Sequence, residues 1–324
     1  VRKKMPKIFS RTLQQTYQYT PAQRIVIDIP RVAFIKKIKV LLSGTISNSG
    51  TSAVTLPSQP FPYNLVQNIS ITYNGSKNLY NVSGQGWGIY KYQKTQGQNP
   101  AQPSPGASVP ASGSVSVGVQ WDFDMLDFPA PLVHTITLTV QTPANILPSG
   151  TSITANFIVT VEYVDYTPQE ILQKFGRIKA NGLPEAVVMP YVIEFAKPVA
   201  QSSVPIRVDY LPTGADLVEQ LVYAINPNSG INNNDPTYYE LELTRGTITE
   251  IISKSWTALQ AEMQAEYKVA PYAPSVALID YTKYEELGFD LSYAPSDSMA
   301  WKLAINNSDT VYSLFVGIAY NQGE

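Results

Sequence analysis

Two stretches of this chain run through the same order of local signals. In the first, Ser70-Ile71-Thr72-Tyr73 reads as a strand ending at Asn74-Gly75, and the small-residue run Ser83-Gly84-Gln85-Gly86-Trp87 follows. In the second, Tyr239-Glu240-Leu241-Glu242-Leu243 ends near Gly246, and Ser253-Lys254-Ser255-Trp256 follows. Each half closes on a long strand ending in tyrosine, Ile153 to Tyr166 and Thr310 to Tyr320. The two tryptophans lie 169 positions apart and the closing tyrosines 154, so the pattern reads as a duplication whose loops differ in length. A chain of 324 residues is comfortable for two domains. The constraint is then severe: the β unit built by the first half must be built again by the second.

Period-two alternation supplies the strands. Ile25, Ile27 and Ile29 alternate with Val26 and Asp28 and stop at Pro30. In Phe34 to Ile46, the residues Phe34, Ile38, Val40 and Leu42 take one face, while Lys37, Lys39, Ser43 and Thr45 lie mostly on the other; Gly44 reads as a bulge. Leu65 to Tyr73 ends in the hairpin signal Asn74-Gly75. Residues 94–114 are rich in Pro, Gly, Ser and Gln and read as an exposed loop. Strands follow from Val115 to Phe123, Leu132 to Val140 and Ile153 to Val164. Thr167-Pro168-Gln169-Glu170 is a capping box with proline at the first helical position, and Ile171, Leu172, Phe175 and Ile178 continue at helical spacing to Asn181-Gly182. The second half is expected to give strands at 187–195, 204–210, 238–243, 247–252, 276–281, 289–293, 299–305 and 310–320. A short helix is expected from Asp216, capped with Glu219 and faced by Leu217, Val218, Leu221, Val222 and Ile225. Trp256, Leu259, Met263 and Tyr267 mark a longer helix. The expected fold is mainly β: two jelly-roll β-sandwiches in tandem with a few short helices, each half carrying about eight strands. The expected division is an arm at 1–20, a first roll at 21–166, a connector at 167–183 and a second roll at 184–324.

Composition removes most enzyme classes. Cysteine is absent, so disulfides and thiolate chemistry are excluded, and His134 is the sole histidine, which leaves too few ligands for an ordinary zinc site. A Ser-His-Asp triad would have one possible base, and His134 reads instead as a core or edge residue. Asp122, Asp124 and Asp127 sit close together but lack the spacing of a calcium loop, and they read as a strand end meeting a loop. Ser83 to Gly88 has glycines without the Gly-Lys-Ser/Thr of a phosphate loop, and reads as a tight strand-to-helix turn. No catalytic residue, cofactor or metal is therefore assigned. Only 15% of residues are charged, so the surface is uncharged polar or covered by partners.

The charge that exists is uneven. Residues 1–40 hold ten basic residues and one acid, a net +9, while the remaining 284 carry −11. Arg2, Lys3, Lys4, Lys7 and Arg11 are the candidate contact residues. A basic terminus is either a solvated tail or a contact with anionic lipid or nucleic acid.

The basic arm, Ile25-Val26-Ile27-Asp28-Ile29-Pro30-Arg31, the strand ending Leu41-Leu42-Ser43-Gly44-Thr45, and Asn64-Leu65-Val66-Gln67-Asn68-Ile69-Ser70-Ile71 before Asn74-Gly75 together resemble the double jelly-roll major capsid proteins of membrane-containing icosahedral viruses. The resemblance implies two rolls side by side, a pseudo-hexagonal homotrimer, and a lattice over an internal lipid membrane. It implies partnership with neighbouring trimers and with penton and minor capsid proteins. It also implies a place in the virion capsid after synthesis in the host cytoplasm. In such a particle the five basic residues would face inward, toward lipid headgroups or the genome, or pack under a neighbouring subunit. A carbohydrate-binding or adhesin-like β-sandwich, with Tyr and Trp stacking on sugars, is the alternative; a glycan-active enzyme using Asp/Glu pairs is a third class.

Overall fold

A computed structural model describes residues 7–98, 101–176, 184, 186–212, 215–245, 248–283 and 298–322. The chain divides into two compact units. The first comprises Val1–Gln85, Pro100–Tyr191 and Ile318–Glu324; the second comprises Gly86–Asn99 and Val192–Gly317.

The first unit is built on β1 (Lys7–Thr12), β2 (Arg24–Asp28), β3 (Phe34–Asn48), β4 (Asn68–Tyr73), β5 (Lys77–Val82), β6 (Ser114–Phe128), β7 (Ile136–Gln141) and β8 (Thr151–Asp165). One sheet has the order β1-β8-β3-β6, and the strands of the other run β2-β7-β4-β5. Among the described residues these strands pair antiparallel. The expected alternation holds: Ile38, Val40, Leu42 and Ile46 of β3, Val119, Trp121 and Phe123 of β6, and Phe157, Val159 and Val161 of β8 are all fully buried. Their intervening residues face out, which is what antiparallel sheets with one wet face require. Asn74 and Gly75 both take positive φ and turn β4 into β5.

The second unit repeats this order. Its strands are β9 (Ala186–Val199), from Val192 onward, β10 (Ser202–Tyr210), β11 (Asp216–Ile225), β12 (Pro236–Arg245), β13 (Ile248–Ser255), β14 (Val276–Asp280), β15 (Ser298–Ile305) and β16 (Asp309–Gln322), up to Gly317. They arrange as β9-β16-β11-β14 and β10-β15-β12-β13. Counting within each unit, the first, eighth, third and sixth strands form one sheet and the second, seventh, fourth and fifth the other. That is the jelly-roll order, obtained twice. A helix follows the fifth strand in both cases: α1 (Gly84–Lys94), with Trp87, and α3 (Trp256–Tyr267), with Trp256. The paired tryptophans of the sequence mark equivalent places. The second core gathers Tyr239, Leu241, Leu243, Trp301, Leu303 and Phe315.

Several expectations change. The helix from Asp216 is the strand β11. Its run Glu219 to Ala224 is buried at every position, so both faces are covered and the period-two signature is erased. Lys7–Thr12, inside the segment read as an arm, is a strand in register with Asp165–Thr160. Its mixed sequence hides it because it sits at a sheet edge with five of six residues exposed. The helix after Thr167 is α2 (Pro168–Phe175), and both halves of the capping box are formed. It ends at Gly176, whose φ of 78° is open to glycine, rather than at Asn181-Gly182. Ile178 and Asn181-Gly182 lie outside the described residues, as does the strand expected at 289–293. Gly44 is no bulge: it pairs in regular register with Ala155 and Val117. A Cβ there would lie 2.1 Å from the Thr154 carbonyl, so close backbone approach is what demands glycine. The 94–114 loop is tied down by a short pairing of Ser108–Val109 with Val54–Thr55 and by a two-way backbone bridge from Gln102 to Gly118.

Candidate assembly surfaces and the basic segment

Strand β1 positions the two described members of the basic group. Lys7, Phe9 and Arg11 lie opposite Asp165, Tyr163 and Val161, and residues directly opposite share a sheet face. Phe9 stacks on Tyr163 at 5.3 Å between ring centroids, which pins the strand. Burial pushes the Tyr163 phenol up to about 12, with Arg11 pulling the other way. Lys7 and Arg11 remain exposed on either side of this ring pair. Arg2, Lys3 and Lys4 lie outside the described residues.

The remaining basic residues of the first forty do not continue this strand. Lys37 sits between Asp124 and Glu162, and Lys39 lies opposite Asp122 and Thr160. Lys39 Nζ reaches Glu162 Oε1 at 2.5 Å. That hydrogen bond raises the lysine and lowers the carboxylate, against the opposing effect of burial on each. Arg31 donates to the Val133 carbonyl at 2.5 Å. Positive charge that is contiguous in sequence is thus dispersed, and partly neutralised by acids from β6 and β8.

The acidic triplet resolves into structural roles. Asp122 accepts from Gln120 at 2.8 Å, Asp124 accepts from the Leu126 amide at 3.1 Å, and Asp127 takes the Tyr166 hydroxyl at 2.8 Å and an ion pair with Lys174. Among the described residues no group of three or more His, Asp or Glu is arranged to hold a metal ion. His134 is exposed just before β7, and its backbone amide is held by Asn74 Oδ1 at 2.7 Å. Ser83 to Gly88 is the turn from β5 into α1, and Trp121 Nε1 donates to the Gly84 carbonyl at 2.9 Å. All four tryptophans are buried, so none offers a platform for a sugar ring.

The outer face of the β10-β15-β12-β13 sheet is a broad mixed surface. Tyr210, Tyr238 and Ile251 are each about half exposed there. The Arg207 guanidinium stacks on Tyr210 at 4.8 Å and donates to its hydroxyl at 2.7 Å. Lys302 lies between Glu240, at 2.8 Å, and Glu242, and those two bonds raise its pKa. Charges already paired within the chain can be covered by a partner at lower desolvation cost than free ones.

Sequence reasoning missed two buried polar centres, both in the second unit. Glu219, on β11, accepts from Tyr90 at 2.6 Å, Lys94 at 2.6 Å and Tyr267 at 2.9 Å, joining α1, α3 and a central strand. Asp235 and Asp309, at the ends of the loops that follow β11 and β15, share the Asn226 amide as donor. The partners come from distant parts of the sequence; only the isolated acid inside an apolar run, at Glu219, was visible as a signal.

The comparisons with known proteins agree with this topology. The family of Sulfolobus turreted icosahedral virus 1-like major capsid proteins matches residues 195–322. The crystal structure of the major capsid protein of Sulfolobus turreted icosahedral virus is 53% identical, covers 97% of each chain and superposes with a TM-score of 0.90. The VP54 protein of PBCV-1 is 10% identical with a TM-score of 0.61, covering 99% of this chain and 95% of that one. The major capsid protein P2 of bacteriophage PM2 is 10% identical with a TM-score of 0.55, covering 97% and 98%. At those low identities the last two show the shared fold alone. No curated protein sequence matches the chain. With the jelly-roll order formed twice and more than half of aligned residues shared over nearly its whole length, the chain belongs to the Sulfolobus turreted icosahedral virus-like major capsid proteins, double jelly-roll structural components of the virion capsid.

Proposed function

We propose that the chain assembles as a pseudo-hexagonal homotrimer, that trimers tile an icosahedral shell over an internal lipid membrane, and that the protein performs no catalytic turnover. The observation that carries this reading is the identical strand order of the two units: three copies of a two-roll chain supply six equivalent rolls to one ring. Low charge suits the wide lateral contacts such a shell needs, because interfaces exclude unpaired charge from their centres. Penton and minor capsid proteins would close the vertices and seams. Sedimentation of the purified protein tests the oligomer: a trimer that particles in the electron microscope show as near-hexagonal supports the reading, and a strict monomer at high concentration overturns it.

The basic group Arg2, Lys3, Lys4, Lys7 and Arg11 is assigned to the inner side of this shell, touching anionic headgroups or, as the second choice, the genome. Each basic residue near an anionic surface contributes about 1 kcal/mol and is screened by salt. Support comes from Lys7 and Arg11, both exposed on one edge strand. Binding of the trimer to phosphatidylserine vesicles should weaken when all five become Gln and when salt is raised. Binding that neither change affects removes the lipid assignment.

A further inference from the structure

Asp235 and Asp309 are 7% and 3% exposed, yet each is a carboxyl group with no ion pair among the described residues. Asp309 opens β16; Asp235 ends the loop between β11 and β12. Asn226 Nδ2 donates to both, at 3.1 Å to Asp235 Oδ2 and 2.8 Å to Asp309 Oδ1. Asn307 Nδ2 donates to Asp235 Oδ1 at 2.5 Å. Asn226 cannot turn its oxygen inward instead, because Oδ1 already accepts from the amides of Asn228 at 2.9 Å and Ser229 at 3.3 Å. One buried oxygen, Asp309 Oδ2, is left without any donor. Asp235 Oδ2 and Asp309 Oδ1 nevertheless converge on the one Asn226 Nδ2.

Two ionised carboxylates are acceptors only and repel; they can face each other in contact when one proton lies between them. A cation could play the same part, but the groups turned toward the pair are amide N–H donors, which would meet a metal ion with the wrong polarity. We propose that Asp235 and Asp309 share a single proton, with the Asp309 carboxyl as donor, and that this pair is a latch at the loop end of the second unit, closed while the proton is held. Asp235 also anchors the facing turn, its carbonyl accepting from the Asn306 amide at 2.8 Å. Losing the proton therefore places two like charges between the two loops. Asp235 is the only charged group facing Asp309 among the described residues; the other contact is the Asn226 amide. Burial and the neighbouring Asp235 raise Asp309 to about 6, with the Asn226 bond opposing.

Between the ordinary aspartate range and about pH 6 the folded chain holds a proton that the unfolded chain has released, so stability is full at low pH and is lost as pH rises through about 6. A displacement of about two pH units corresponds to a change of up to about 100-fold in the unfolding constant. The experiment is urea unfolding of wild type and Asp309→Asn from pH 4 to 8, with infrared difference spectra of the folded proteins. The introduced amide supplies a permanent donor to Asp235, so the variant should lose this pH dependence, gain on wild type above pH 6, and lack one protonated-carboxyl band. Should Asp309→Asn fail to fold, Asp235→Asn gives the same comparison, and the wild-type infrared band stands alone. Parallel pH profiles for wild type and variant, or absence of the band at pH 5, overturn the proposal. So does a rise in midpoint with added Ca²⁺ at pH 7.5 that Asp309→Asn abolishes, which would assign the pair to a cation.

Discussion

Replacing Glu219 tests whether the buried carboxylate, and not simple packing, holds two helices to the second unit. Its acceptor oxygens serve two phenols and one ammonium, and the side chain is 5% exposed. A hydrogen bond to a charged group contributes about 1.5–3 kcal/mol, and breaking a buried pair by deleting one partner costs about 3–5 kcal/mol. Lys94, about one-third exposed, recovers part of its hydration when the carboxylate is gone, so the full sum is not expected. Glu219→Ala should therefore cost about 4 kcal/mol. Glu219→Gln keeps one acceptor oxygen but turns an amide toward Tyr90 or Tyr267, and should cost about 2–3 kcal/mol. Tyr90→Phe alone should cost about 1–2 kcal/mol, and less in the Glu219→Ala background, because the shared bond is then already lost. Urea unfolding at fixed protein concentration, followed by tryptophan fluorescence, is the assay. Trp87 stacks on Tyr90 at 5.0 Å and Trp256 opens α3, so emission reports the affected region. A Glu219→Gln midpoint within about 0.5 kcal/mol of wild type, or strict additivity of the two changes, would refute the reasoning.

Other positions respond through different physics. Gly44→Ala must displace the backbone of β8 and should cost about 3 kcal/mol or more, read as a lower yield and midpoint in the same unfolding series. Thr167→Ala removes the cap that accepts from the Glu170 amide and should cost about 1 kcal/mol, with faster amide exchange over the first turn of α2. Lys302→Met leaves Glu240 and Glu242 facing each other on the outer sheet face and should lower stability by about 1 kcal/mol, an effect that shrinks in high salt.

The strands most readable in the sequence are those with one dry face, such as β3 and β8, where alternation is a direct image of burial. The cap at Thr167 was readable because its chemistry is confined to four adjacent residues. β11 was misread because burial on both sides leaves only a hydrophobic run, and within it Glu219 looked like a capping residue rather than a buried acceptor. β1 was missed for the opposite reason: it gains its place from Phe9 on Tyr163 and from pairing with β8, contacts made more than a hundred residues away. The basic group was legible as composition, but its partial dispersal among acids of β6 and β8 depends on register, which local sequence does not encode.

Helix α1 follows a strand of the first unit in sequence, yet from Gly86 onward it is part of the second. The ribosome makes it long before Glu219 and α3 exist. During synthesis Tyr90, Gln93 and Lys94 must wait, and Gln93 is fully enclosed in the finished unit, where it donates to Met263 Sδ at 3.5 Å. The second roll cut out as residues 192–317 would retain a carboxylate built for three donors and keep only Tyr267. Gene halves split at the connector should therefore yield insoluble fragments when expressed singly and recover on co-expression. The second roll therefore depends for its finished polar centre on a helix whose Tyr90 is encoded 129 residues upstream of Glu219, between strands of the first.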